Sequence, residues 1–229
     1  YEPFSKLESP IQRALTPDGQ PCQISVQMDH HTVVGIVWQV RVGRVMLYLI
    51  DTDVPENQPW DRELSARLYG GDHNVRLRQE ILLGVGGVRV FRALGISPAV
   101  WHANEGHSAF LTLERVREFV QAGRSHAEAI ELVRQSTVFT THTPVPAGHD
   151  VFSFHQIEQH FEGYWEQLGM SREAFLQLGA HPDNPGAGKV AAHLPRRPPA
   201  AGWSRAPTSW RTPPRARRSG CGWPSSPTP

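Results

Sequence analysis

The 229-residue chain carries 23 lysines plus arginines against 22 aspartates plus glutamates, a formal net charge of +1, with 39% hydrophobic residues, 20 glycines and 20 prolines. That length can bury a core of its own and suits one or two domains. The near-zero total conceals an asymmetry that excludes a uniformly basic nucleic-acid binder: seven arginines and no Asp, Glu or Lys lie beyond Val190, so a body near −6 carries a tail near +7.

Two cysteines, Cys22 and Cys221, stand almost the whole chain apart, which is neither a disulfide framework nor a zinc ribbon and suits a reducing, cytoplasmic setting. No stretch of 18 apolar residues occurs, so no membrane partner is expected. The opening YEPFSKLESP lacks a basic n-region and an apolar h-region and reads as a start in mid-flow, with residues expected upstream.

Between about Pro21 and Ile50, ISVQM, TVVGIVWQV and GRVMLYLI are β-branched and aromatic-rich, the signature of strands. VMLYLI is continuous rather than alternating, as in a strand covered on both faces. ENQPWDRELSARLYGGD follows as a short helix closing at Gly70-Gly71. From Asn74 to Leu94 the pattern is helical, with Val75, Leu77, Ile81, Leu82, Val85, Val88 and Leu94 inside and Arg76, Arg78, Glu80, Arg89 and Arg92 outside or at the edges. Three glycines in that run (Gly84, Gly86, Gly87) predict close packing against another backbone, and Gly95 predicts the helix end.

SPAVWHAN is a strand ending in polar residues, and helices follow at Ala109 to Ala122 and from Ser125 to Arg134. Thr137 to Thr140 forms the next strand. This order predicts an α/β fold with a parallel sheet flanked by helices, whose ligands sit at the strand ends Trp101 to His107 and Thr140 to Asp150. Two short helices are expected between Phe154 and Ala180, broken by Gly169 and restarted at Ser171. Past Lys189 the last 40 residues hold nine prolines and no apolar periodicity. The division expected is an α/β body at 1–189 and a disordered or non-native tail at 190–229.

Three polar clusters carry the candidate chemistry. In WHANEGHSAF, residues His102, Asn104, Glu105 and His107 fall at a strand end and a first helical turn, where a capping network is the plain alternative. In THTPVPAGHD, His142 and Thr143 stand among hydroxyl groups on a proline-stiffened loop, with His149 and Asp150 as less certain members. Such a set suits a polyhydroxylated ligand, and a surface loop is the plain alternative. In RLYGGDHN, Asp72 and Asn74 offer sugar-hydroxyl partners or simply cap the next helix. Asp29-His30-His31 reads as a turn rather than a metal site. GVGG has no dinucleotide or phosphate spacing, no HExxH occurs, and Lys6 and Lys189 are the only lysines.

These strings together resemble the α-glucan (glycogen, starch and maltodextrin) phosphorylases of bacterial type. They are LYLIDTDVPEN at Leu47 to Asn57, RLYGGD at Arg67 to Asp72, RLRQEILLGVGGVR at Arg76 to Arg89, NEGHSAF at Asn104 to Phe110 and TVFTTHTPVPAGHDVF at Thr137 to Phe152. The resemblance runs from about Val26 to Gly179. It implies a partial Rossmann-like N-terminal domain of a GT-B-type glycosyltransferase that releases glucose 1-phosphate from α-1,4-glucan and inorganic phosphate, allosteric and homodimeric at full length. It also implies His142 at the glucose site, Asp72 in a gating loop, and Asn104, Glu105 and His107 in the adjoining network, with Thr143 beside His142. The family's pyridoxal phosphate sits on a lysine of a C-terminal domain that has no counterpart here, so this chain by itself is expected to be inactive. The tail matches nothing in the family's continuation and suggests a frame error or truncation. A glucan-binding or regulatory module without catalysis is the alternative, and equally an unfolded, inert fragment; a nucleotide-sugar transferase is a weaker rival.

Overall fold

A computed structural model describes residues 9–67, 71–142, 150–181 and 184–188, with 181 and 184–188 as backbone only. All lie in one compact unit, Tyr1–Pro195. The expected boundary at 189/190 and the tail beyond it lie outside the described residues.

The fold is mixed α/β. Among the described residues its largest sheet is antiparallel, and the parallel sheet expected is represented by one strand pair. β3 (His31–Val42) is the spine: β1 (Gln12–Arg13) and β2 (Gln23–Met28) pair with it, and β4 (Val45–Asp51) also pairs with it. The reason is local. β2 and β3 are joined through a turn at Asp29 (φ 57°), and β3 and β4 through one at Gly43 (φ 60°), and tight turns of this kind can only make hairpins. Among the described residues parallel pairing is confined to β5 (Trp101–Asn104) and β6 (Thr137–Thr140), in register Trp101↔Thr137 to Asn104↔Thr140. A crossover of two helices, α4 (Leu111–Gln121) and α5 (His126–Gln135), separates these strands. A third sheet joins β7 (Phe152–Ser153), β9 (Asn184–Gly188) and β8 (Ala180–His181) in the order β7-β9-β8.

β4 corrects a second expectation. Tyr48 and Ile50 pack toward the core, but Val45, Leu47 and Leu49 stand exposed on the opposite face. The strand is covered on one side only among the described residues.

The apolar run from Asn74 to Leu94 is helical as expected but not uniform. α2 (His73–Ile81) passes through a π turn, Leu82–Gly86, into α3 (Gly87–Ala93). Asp72 starts it, its Oδ1 accepting from the Asn74 and Val75 N–H groups at 2.9 Å each. Leu77, Ile81, Leu82, Val85, Val88 and Val90 are buried. The glycines answer differently to the packing expectation. A Cβ on Gly84 would lie 2.8 Å from the Leu111 nitrogen, one on Gly86 would meet Ile24 at 3.3 Å, and one on Gly87 would meet nothing within 4 Å. The other departure is charge. Arg78 and Glu80, expected outside, are buried. Arg78 donates to Asp61, a fully buried carboxylate in α1 (Pro59–Arg62), which also bonds His31 at 2.8 Å. Charged groups are buried here because they are paired.

α5 opens on Ser125 with a complete capping box to Glu128, and Gly95 takes the left-handed conformation expected of a helix end. The segment from Phe154 forms three short helices rather than two: α6 (Phe154–Phe161), α7 (Tyr164–Gln167) and α8 (Arg172–Leu178), with Gly163 at φ 73° between the first pair. Phe161 of α6 packs against Phe110, Tyr164 and Phe175 at ring-centroid distances of 5.0–5.5 Å.

One ion cluster crosses this core. Glu114 of α4, 1% exposed, accepts from Arg89 (2.9 and 3.2 Å), Arg117 (2.9 and 2.6 Å) and the Tyr164 hydroxyl (2.7 Å). Burial alone would raise its pKa, but the donors of Arg117 and Arg89, with Tyr164, outweigh burial and hold it at about 2.

Two predictions follow from packing and charge. Gly84→Ala should lower stability by about 1–3 kcal/mol through overpacking, whereas Gly87→Ala should be neutral or stabilise by up to about 1 kcal/mol. Urea unfolding of the two variants checks the pair, and equal losses would refute the packing account. Because the Glu114 pKa is depressed in the folded state, its contribution is present above pH 4.5 and is lost as pH falls toward 2. Glu114→Gln should therefore cost about 3–5 kcal/mol near neutral pH, and the difference from the parent should shrink in acid unfolding curves.

Candidate functional site

The parallel pair β5–β6 sets the site. β5 alternates, with Trp101 and Ala103 buried and His102 and Asn104 turned outward. Asn104 is in register with Thr140, and the Glu105 N–H bonds the Thr140 carbonyl at 2.8 Å, so the two chains leave the sheet side by side. Glu105 then turns sharply, with φ 61° in a region rarely taken by a residue with a side chain and costing about 1–3 kcal/mol. Its carboxylate accepts from the His142 backbone N–H and from the Thr141 hydroxyl (3.2 Å). Asn104 Oδ1 lies 2.8 Å from His142 Nε2, so that nitrogen carries the proton when the amide oxygen faces it. His102 Nε2 contacts the Thr140 hydroxyl at 2.7 Å.

Asn104, Glu105 and His142, read separately from two motifs 38 residues apart, thus form one hydrogen-bonded group. Thr143 and His149 lie outside the described residues. Asp72 is exposed and serves the start of α2 with its Oδ1. Asn74 bonds the buried His160 at 2.8 Å, and burial, reinforced by Arg78, lowers the His160 pKa to about 4.

His107 enters through a second group. It sits in a 3-10 turn, Gly106–Ser108, and its Nδ1 lies 2.6 Å from Arg76 Nη2. A guanidinium has donors only, so Nδ1 accepts and the proton of the neutral ring is on Nε2. Burial and then the Arg76 charge lower the His107 pKa. Arg76 also donates from Nε and Nη2 to Asp150 Oδ2, both at 3.1 Å, and its Nε is 3.2 Å from Glu80 Oε1. Glu80, His107 and Asp150 bring ligand-type atoms within 4.8 Å of one another. The Arg76 guanidinium already supplies the cation of that group.

The sequence pattern sets Arg76 and Glu80 outside or at the edges of an apolar helical face and assigns neither to a site. Their four-residue spacing on one helical face was the available signal. What the two groups offer together is a rigid set of imidazole, amide and carboxylate contacts at the C-terminal ends of parallel strands. Such an arrangement offers fixed hydrogen-bonding partners of the kind a polar ligand uses.

No family model matches the chain. It is 44% identical over 183 residues to a maltodextrin phosphorylase of Thermococcus litoralis, covering 80% of this chain and 22% of that protein. A glycogen phosphorylase of Aquifex aeolicus is 38% identical over 179 residues (78% of this chain, 26% of that protein). One of Mycobacterium tuberculosis is 41% identical over 199 residues (80% and 23%). The chain spans about a quarter of the length of the relatives it matches.

Proposed function

Since this chain belongs to the α-glucan phosphorylase family, we propose that it forms the glucan-facing part of an enzyme that transfers a terminal α-1,4-linked glucose to inorganic phosphate. The observation that carries this reading is the strand-end group in which Glu105 fixes the His142 backbone while Asn104 fixes its ring. A glucosyl unit approaching an oxocarbenium-like state needs polar partners on its hydroxyls that do not reorganise, and an imidazole held at both backbone and ring is such a partner.

His142, Asn104, Glu105 and His107 are the proposed sugar-side residues, with Asp72 and Thr143 beside them. The proposed whole is a GT-B-type, cytoplasmic, allosteric homodimer with Rossmann-like domains. Among the described residues no helix is long and apolar enough to cross a membrane.

Pyridoxal phosphate, the cofactor of the proposed activity, is anchored covalently through a lysine. The described residues include no lysine, since Lys6 and Lys189 both fall outside them. The strand-end groups do not fit the cofactor's anchor, and no catalytic step is routed through it. The role derived for these residues is binding and orientation of the sugar.

The chain should therefore bind maltoheptaose without turning it over. Titration calorimetry should give saturable binding that His142→Ala weakens about tenfold, the scale of one lost hydrogen bond. Incubation with maltoheptaose and phosphate should yield no glucose 1-phosphate above a heat-killed control. Binding unaffected by His142→Ala would remove the strand-end group from the sugar site.

A further inference from the structure

The Arg76 group poses a problem of charge that the sugar site does not use. Two carboxylates, Glu80 and Asp150, meet one guanidinium, and each has an oxygen within 3.2 Å of the same Arg76 Nε. His107 Nδ1 stands 3.6 Å from the Glu80 oxygen and 3.9 Å from the Asp150 oxygen. The Glu80 side chain is only 5% exposed, against 36% for Asp150. Facing Glu80 are Arg76 on its own helix, His107 on the 3-10 turn and Asp150 ahead of β7, with Glu105 acting on His107 from behind.

The charge of the enclosed member, Glu80, is the one that burial penalises. A protonated His107 cannot neutralise it, because an imidazolium would turn an N–H toward the N–H of Arg76 at 2.6 Å. A metal ion would have to displace the guanidinium. What remains is a proton on one carboxyl. Asp150 accepts two N–H bonds from Arg76 and is stabilised as the anion. Glu80 Oε1 is buried and lies 3.2 Å from Arg76 Nε, but that N–H is aligned on Asp150 and gives Glu80 no well-formed hydrogen bond. A proton on Glu80, donated to Asp150, satisfies both.

We propose that Glu80 is a positioning residue: it shares one proton with Asp150, and the pair, through Arg76, fixes His107 as a neutral ring whose Nδ1 accepts from Arg76 and whose proton is on Nε2. The shared proton does not depend on the proposed function; only a sugar-side role for His107 rests on that reading. The electrostatics agree. Burial, and then the Asp150 hydrogen bond and charge, raise the Glu80 pKa to about 8. Burial would also raise that of Asp150, but the Glu80 hydrogen bond and the Arg76 charge hold it below its ordinary value. A carboxyl pair that cannot both ionise separates into an acid and an anion in this way.

Glu80→Gln imitates the protonated acid, and Glu80→Ala removes the donor. Long-range proton–nitrogen NMR on the full chain should show His107 in the Nε2–H form at neutral pH in the parent. In the parent that signal should shift as pH rises through about 8. Glu80→Gln should keep the Nε2–H form without the shift, and Glu80→Ala should lose the single form. Stability gives a second reading. With its folded pKa raised, Glu80 contributes fully below pH 4.5 and its contribution is lost as pH climbs to about 8. The unfolding constant of the parent relative to Glu80→Gln should thus rise up to about tenfold per pH unit across that window and level off above it.

An imidazolium at neutral pH in the parent, a flat ratio, or a Gln variant that keeps the parent's transition would overturn the proposal. Maltoheptaose titration separates the two readings. If the NMR transition appears but the parent binds no glucan, the shared proton stands and the sugar assignment fails. If glucan binds and the transition is missing, the reverse holds.

Discussion

The rest of the structure depends on how the Glu114 carboxylate is satisfied. It is almost wholly enclosed, yet it collects two arginines and a tyrosine from three helices, α3, α4 and α7. Arg89 adds a bond of 2.6 Å to the Ser25 carbonyl of β2, so the same cluster reaches the antiparallel sheet. A buried anion of this kind tolerates few alternative packings, because each displaced donor leaves an uncompensated charge. Since α4 follows directly from the NEGHSAF segment, fixing α4 also fixes where the polar strand end stands relative to the sheet. Rigidity at the proposed sugar side thus begins some distance from it.

Much of this was legible in the sequence where the signal was local. The helix start at Ser125, Asp72 ahead of α2, Gly95, and the four-residue strand Thr137–Thr140 all follow from short-range chemistry, and each stands where the pattern puts it. The pairing of Asn104 with His142 followed from topology, since adjacent parallel strands end on one side. The cover over β4 was misread. VMLYLI has the composition of a strand buried on both faces, and composition does not report that a two-residue link, Gly43-Arg44, folds it back on its neighbour. Arg78 and Glu80 were misplaced for a different reason. Periodicity assigns charges to water, whereas these two are enclosed with partners, Asp61 and Arg76, that lie elsewhere on the chain or one turn away.

Family membership and site geometry contribute different things. Similarity to the phosphorylases rests on 38–44% identity over about a quarter of those proteins' length. The geometry shows how two of this chain's motifs depend on each other. NEGH supplies a strained turn whose carboxylate needs the backbone of the next strand, and RLRQE supplies the guanidinium that the histidine of that turn needs. Neither block is complete without the other, so the segments form one polar unit though they are distant in sequence.

The π turn at Leu82–Gly86 gives this unit its freedom. Passing one extra residue through a helical turn advances the downstream face by about 100° without ending the helix. Upstream of it, α2 turns Arg76 and Glu80 toward the polar loops; downstream, α3 seats Val88 and Val90 in apolar surroundings and brings Arg89 to Glu114. A regular helix would carry a single stripe and would have to compromise between those surfaces. The wide turn acts as a clutch between them, so that the polar half and the load-bearing half of one rod keep separate angular phases.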